Sequence, residues 1–258
     1  MVDPTTALAE RLRAAGCVFA EQEAALLLAA GRLPDEVERL VAQRLSGLPL
    51  EVVLGWAEFC GRRIVVEPGV FVPRRRTALL VRTAVRSGAP PRPVVVDLCC
   101  GTGAVGVAVA GEVDAGRLHA ADVDPAAVAC ARRNVEPVGG RVHEGDLYAA
   151  LPSDLRGRVD LLLVNAPYVP TRALALLPPE ARLHEPAVAL DGGADGLDVQ
   201  RRVAADAAGW LAPSGRVLLE TSDEQADRTL ALLAGAGLVA DVVRDDELAA
   251  TVAVARRA

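Results

Sequence analysis

From Val94 onward, apolar runs and turn residues alternate with a regular beat. Short runs rich in Val, Leu and Ala near 94–98, 117–121, 141–144 and 159–164 read as buried strands. Stretches near 104–110 and 125–134 carry helical spacing between them. A helix near 198–211, a strand near 216–220, a helix near 224–235 and two closing strands near 238–243 and 250–255 complete the series. Such alternation predicts an α/β fold with a doubly wound, mostly parallel sheet of seven strands. Two successive strands at the end predict an antiparallel hairpin.

Three short amphipathic helices precede this series, at about Thr5–Ala15, Ala20–Gly31 and Pro34–Leu45. Gly16, the Gly31-x-x-Pro34 step and the Gly47-x-Pro49 step punctuate them. Residues 58–72 read as a short β-hairpin, and Val81 lies in a helix that ends before Gly88-Ala89-Pro90-Pro91. The expected organisation is a small helical region over 1–50, a β-hairpin linker over 51–75 and the doubly wound domain over 76–258. The segment 166–196 is rich in Pro and Gly and has no periodicity, and unstructured connections of that length are usually functional or disordered.

Composition narrows the field. At 258 residues and 52% hydrophobic content the chain can bury a full core. All 28 basic residues are Arg, against 34 acidic ones, and the net charge of −6 excludes broad nucleic-acid binding, which depends on phosphate neutralisation. Cys17, Cys60, Cys99, Cys100 and Cys130 form an odd set without metal-ligand spacing. With no signal peptide and no apolar run long enough to span a membrane, a reducing cytoplasmic setting is expected. His119, His143 and His184 are scattered, and no Ser/His/Asp or metal constellation emerges.

Two motifs carry chemistry. Val94–Leu98 runs into Cys99-Cys100-Gly101-Thr102-Gly103 and then a helix, a strand–glycine turn–helix unit whose N–H groups can face an anionic group. Asp122 lies nineteen residues after Gly103 at the end of the next strand, where an acid accepts ribose hydroxyls. Asp146 follows the third strand and can take an adenine amino group while Leu147 covers the ring. Gly101-x-Gly103-x-x-Gly106 also matches the dinucleotide fingerprint, although Gly106 equally suits helix–sheet packing. Asp97 favours S-adenosylmethionine over a dinucleotide, because a carboxylate before the turn suits a cationic amino-acid group and repels a pyrophosphate.

The second motif is Asn165-Ala166-Pro167-Tyr168, at the carboxyl end of the apolar strand 159–164. An Asn oxygen and the Ala166 carbonyl can accept both hydrogens of a planar NH2 group. Pro167 stiffens the turn and Tyr168 offers a flat face. Asn165, Pro167 and Tyr168 are therefore the candidate catalytic residues, with Asn165 also reaching the cofactor. A dehydrogenase has no use for such a site, and the closing hairpin is typical of S-adenosylmethionine-dependent methyltransferases.

With both motifs in place, the chain from about Leu48 onward resembles the HemK/PrmC-type protein (glutamine-N(5)) methyltransferases. Glu51–Gly61, Val70-Phe71-Val72-Pro73-Arg74, His184-Glu185-Pro186 and Ala189–Leu197 are similar to family segments. The resemblance implies a cytoplasmic enzyme with a seven-stranded methyltransferase sheet and a protein substrate of the translation release factor type. It also implies substrate contacts at Pro73, Arg74, Ala166, Pro167 and Tyr168. Ala166 replaces the first Pro of the family's N-P-P-Y, Cys99 replaces its first Gly, and Arg75-Arg76-Thr77-Ala78 stands where P-E/D-T-E is usual. These departures leave open an adenine or cytosine amino group, a small metabolite, or a non-catalytic cofactor-binding scaffold.

Overall fold

Val94, Val95, Val96 and Leu98 give Val94–Leu98 apolar side chains on both faces, with one acid, Asp97, among them, and this run forms β3 (Val94–Leu98) in the middle of the sheet. The computed structural model describes residues 3–257. Before β3 come α1 (Pro4–Ala14), α2 (Ala20–Ala30), α3 (Pro34–Leu45), α4 (Leu50–Leu54), the hairpin β1 (Trp56–Phe59) and β2 (Arg62–Val65), and α5 (Ala78–Arg86). After it follow α6 (Ala104–Glu112), β4 (Arg117–Asp122), α7 (Pro125–Val135), β5 (Arg141–Glu144) and β6 (Val159–Val164). The chain ends with α8 (Pro179–His184), α9 (Asp198–Trp210), β7 (Leu211–Thr221), α10 (Ala226–Gly235), β8 (Leu238–Asp245) and β9 (Ala250–Arg257).

Among the described residues, seven strands form one sheet in the order β5-β4-β3-β6-β7-β9-β8. The first five are parallel, and β9 runs antiparallel to both β7 and β8. Each strand sends alternate side chains to opposite faces. Val95, Leu161 and Leu163 meet α5, α6 and α7 through Leu80, Ala108 and Ala131. Val96, Leu162 and Val164 meet α9 and α10 through Val203, Ala207 and Leu233. The expected seven-stranded doubly wound sheet is the observed one.

Three local expectations differ from the structure. The hairpin starts at Trp56 and ends at Val65, because Cys60 and Gly61, at φ of 49° and 71°, make a two-residue turn of the kind that fits the strand twist. β7 begins at Leu211, five residues early, because the Pro213-Ser214-Gly215 turn signal lies inside an irregular stretch that still pairs with β6. His119 and His143 are not scattered. Neighbouring strands stack their rings at 5.2 Å, and burial, then the partner ring, pushes His119 down to about 4.

The helices α1–α3 bury Leu8, Leu12, Ala24, Leu27 and Val41 together, with Leu50, Val53 and Leu54 of α4 closing the cluster. One buried cation ties this bundle to the segment after β6. Arg44 pairs with Glu23 through Nε at 2.6 Å and with Glu180 of α8 through Nη1 at 2.7 Å, and it donates to the Leu48 carbonyl. Removing one member of a buried pair leaves an uncompensated charge. Arg44→Ala is therefore expected to lower stability by about 3 kcal/mol. Urea unfolding followed by circular dichroism measures it, and a loss within experimental error would show that Glu23 is solvated in the variant.

Candidate functional site

The carboxyl ends of β3, β4 and β6 open onto one cavity of about 400 Å³. Its cofactor half is built by the turn after β3. Gly103, at φ 76°, starts α6, and a Cβ there would lie 2.6 Å from Val135 Cγ2. Cys99 takes the same left-handed region at φ 55° without being glycine, at a cost of about 1 kcal/mol. Asp122 at the end of β4 holds the turn. Its Oδ2 accepts from the Gly101 N–H at 2.8 Å and its Oδ1 from the Asp124 N–H at 3.0 Å. The cap of α7 is Asp124, which accepts from the Ala126 N–H.

Asp97 is 1% exposed, and its Oδ2 accepts from the Gly106 N–H at 2.8 Å. A side chain at Gly106 would crowd this contact, since a Cβ would stand 3.0 Å from that oxygen and 3.1 Å from Leu118. Burial pushes the Asp97 carboxyl up to about 8, against the Gly106 N–H and with the help of the Asp122 charge. Burial also raises Asp122. Asp146 pairs with Arg202 of α9 at 2.5 Å, and Leu147, at φ 48°, is buried beside it.

The acceptor half is built by the turn after β6. The Asn165 Nδ2 donates to Thr77 Oγ1 at 3.5 Å, and the Tyr168 hydroxyl donates to Glu220 Oε1 at 3.4 Å. Arg76 Nε lies 3.5 Å from the same Glu220 oxygen, and its guanidinium stands 5.7 Å from the Tyr168 ring centre. Burial and the Glu220 charge push the Tyr168 phenol up to about 12, so it stays an O–H donor. Phe71, Pro186, Val188 and Leu190 give this half apolar walls.

The cavity brings together Asp97, Cys99, Gly101, Asp122, Asp146 and Leu147 on one side. On the other it gathers Pro73, Asn165, Ala166, Pro167 and Tyr168. Two expected residues stand apart. Gly103 shapes the turn from outside the lining, and Arg74 does not reach the cavity. The Arg74 guanidinium pairs with buried Glu185 at 2.5 Å and lies over Phe71, so its charge is neutralised within the wall. Arg76 and Thr77 face the cavity instead. Sequence reasoning missed Thr77, Glu220 and Arg202. A lone acid at the end of the apolar run Val217-Leu218-Leu219 was a usable signal for Glu220, whereas Arg202 sits on an ordinary amphipathic helix. Among the described residues no acid, His and Cys cluster could hold a metal ion, and no helix is long and apolar enough to cross a membrane.

The methyltransferase small domain model matches residues 61–181. The chain is 40% identical over 200 residues to a release factor glutamine methyltransferase of Geobacter sulfurreducens, covering 77% of this chain and 69% of that one. It is 39% identical over 215 residues to a 4-amino-L-phenylalanine/4-methylamino-L-phenylalanine methyltransferase of Streptomyces pristinaespiralis, covering 81% and 73%. A 16S rRNA methyltransferase of T. thermophilus, solved with AdoMet and guanosine, shares the fold at a TM-score of 0.56 and 20% identity, over 79% of this chain and 50% of that one.

The donor set fits S-adenosylmethionine: a buried carboxyl for a cationic amino group, a turn of backbone N–H groups, and an acid at the end of β4. A ligand that brings a cation to Asp97 must meet the carboxylate, and in the free protein that group is largely protonated at pH 7. Binding therefore releases a proton, and affinity rises with pH up to about 8 and then levels. Calorimetry with S-adenosylhomocysteine in two buffers of different ionisation enthalpy should show that release at pH 7. Asp97→Asn should remove it, and a flat affinity from pH 6 to 9 would contradict the role of Asp97.

Proposed function

The chain belongs to the release factor glutamine methyltransferase family and is an S-adenosylmethionine-dependent methyltransferase, and on that premise we propose that its acceptor is the side-chain amide of a glutamine in a translation release factor. The observation that carries this reading is the commitment of Asn165. Its amide nitrogen donates to Thr77, which leaves Oδ1 to accept from a planar NH2 group. The Ala166 carbonyl is the second acceptor, and Tyr168 supplies a face on which the conjugated group lies.

S-adenosylmethionine supplies the methyl group as a sulfonium substituent. An amide nitrogen is a poor nucleophile because its lone pair is delocalised. Holding both N–H hydrogens to one side draws the nitrogen out of conjugation and turns that pair toward the methyl carbon. The N–C bond forms as the S–C bond breaks, the sulfur keeps the bonding pair, and the nitrogen sheds its extra proton to water afterwards. Orientation and exclusion of water therefore supply most of the rate, and no strong base is needed. The apolar walls at Phe71, Val188 and Leu190 support that exclusion. Free cysteines throughout the described residues fit a reducing cytoplasm.

One observation favours a second acceptor. Arg76 puts a half-exposed cation in the acceptor half, where a free amino acid would present its carboxylate. The arylamine of 4-amino-L-phenylalanine is also a planar NH2, and the S. pristinaespiralis relative is named for it.

Labelled cofactor offered separately to a release factor, to that factor with its glutamine replaced by Ala, and to 4-amino-L-phenylalanine decides between them. Label in the first alone supports the glutamine reading, and label in the third alone supports the arylamine. Equal label in the two factors excludes that glutamine. Asn165→Ala is expected to lower kcat by about 100-fold while cofactor affinity stays near that of the wild type. Arg76→Gln is expected to raise the KM for a carboxylate-bearing acceptor and to leave the KM for the release factor unchanged.

A further inference from the structure

Behind the acceptor turn lies a carboxylate that the methyl-transfer reading does not use. Glu220 stands at the carboxyl end of β7, one residue beyond the Val164–Leu219 pair, so it neighbours Asn165 across the sheet. It is 2% exposed. Its Oε1 receives Tyr168 and Arg76, while its Oε2 is fully buried and has no hydrogen-bond partner within normal geometry. Thr77 is 2% exposed, its hydroxyl oxygen lies 3.5 Å from the Asn165 Nδ2, and it stands near enough to Glu220 to pull that carboxyl down. A hydroxyl has one proton to give and an ionised carboxylate can only accept.

We propose that Glu220 is a positioning residue that fixes which end of the Asn165 amide faces the acceptor. The inference rests on the reading of Asn165 as the NH2-orienting residue. The carboxylate obliges Thr77 to donate toward Glu220. The Thr77 oxygen is then an acceptor for Asn165, which must give it Nδ2. That turns Oδ1 to the cavity, where it can accept from the substrate. With a donor turned to Thr77 in place of a carboxylate oxygen the chain reverses: the Thr77 hydroxyl donates to Asn165, the amide flips, and an NH2 meets the NH2 of the substrate.

The groups facing Glu220 are Arg76 and Thr77 from the turn before α5 and Tyr168 from the loop after β6, while β9 brings Val252 opposite it. Burial raises the Glu220 carboxyl, and Thr77, Arg76 and Tyr168 each pull it down. Protonation gives Glu220 a proton to donate, so activity falls as pH drops through its titration, which burial raises from the ordinary value.

The test is steady-state kinetics at saturating cofactor with whichever acceptor the labelling experiment identifies. Glu220→Gln and Thr77→Val are each expected to lower kcat at least tenfold, with unchanged affinity for S-adenosylhomocysteine as the control for folding. Thr77→Ser should restore most of what Thr77→Val loses. The wild type should show an acid limb in kcat that Glu220→Gln lacks. If Asn165→Ala is inactive while Glu220→Gln and Thr77→Val keep wild-type kcat, the relay is wrong and the role of Asn165 stands. If Asn165→Ala keeps its activity, the underlying reading fails instead. Should Glu220→Gln not fold, the Val and Ser variants at Thr77 decide alone.

Discussion

The site depends on the level alignment of four parallel strands. Leu98 pairs with Ala121 on one side and Val164 on the other, and Val164 pairs with Leu219. The next residue on each strand is therefore Cys99, Asp122, Asn165 and Glu220, and these residues, distant in sequence, share one rim. Burial on both faces of β3 fixes that register, because a slip of one residue would turn Asp97 away from α6 and send Val96 and Leu98 to the wrong core. The chain also changes winding direction at β3, with β4 and β5 laid to one side and β6 and β7 to the other. The crevice at such a switch point is where open α/β sheets bind ligands.

Charge then divides the crevice. The cofactor half is lined by Asp97, Asp122, Asp124 and Asp146, with Arg202 alone set against them. Burial raises both Asp97 and Asp122, so this half gains most from a ligand that arrives with positive charge. That resolves the ambiguity of the Gly101-x-Gly103-x-x-Gly106 pattern. A dinucleotide would press a pyrophosphate against these acids, whereas a sulfonium amino acid complements them. Arg76 is the charged side chain that lines the acceptor half, and the Tyr168 ring and Glu220 share that cation.

Much of this was legible in the sequence because it lies in local patterns. The strand–turn–helix at 94–110 announces itself by β-branched residues and glycines, and Asn165 by its position after an apolar run. Helix α3 has the bounds that Pro34 and the Gly47-x-Pro49 step predicted, Pro34–Leu45. What stayed hidden depends on pairing between distant segments. Nothing in Arg74-Arg75-Arg76 says which guanidinium meets Glu185 in the wall and which turns to the cavity; the turn at 75–77 decides that. Glu220 gains meaning only once β7 lies beside β6. The segment after Tyr168 looked structureless because its order is non-local. Val169 bridges to Asp191, Glu180 reaches Arg44, and short helical turns fill the space between.

Ala166 stands where the family's quartet has a proline, and the turn keeps its place at the cavity without that ring. A proline narrows the backbone of the unfolded chain and stabilises a compatible turn by about 0.4–1 kcal/mol. Here hydrogen bonds hold the same stretch. Gln225 Nε2 donates to the Tyr168 carbonyl at 3.0 Å, the Val169 N–H to the Leu190 carbonyl at 3.1 Å, and the Gly192 N–H to the Val169 carbonyl at 2.9 Å. Ala166 itself is 1% exposed and packs in the cluster that holds Leu98 and Val164. Its side chain packs into the core, so Ala166 forgoes a ring's stiffness while Asn165, Pro167 and Tyr168 still line the cavity.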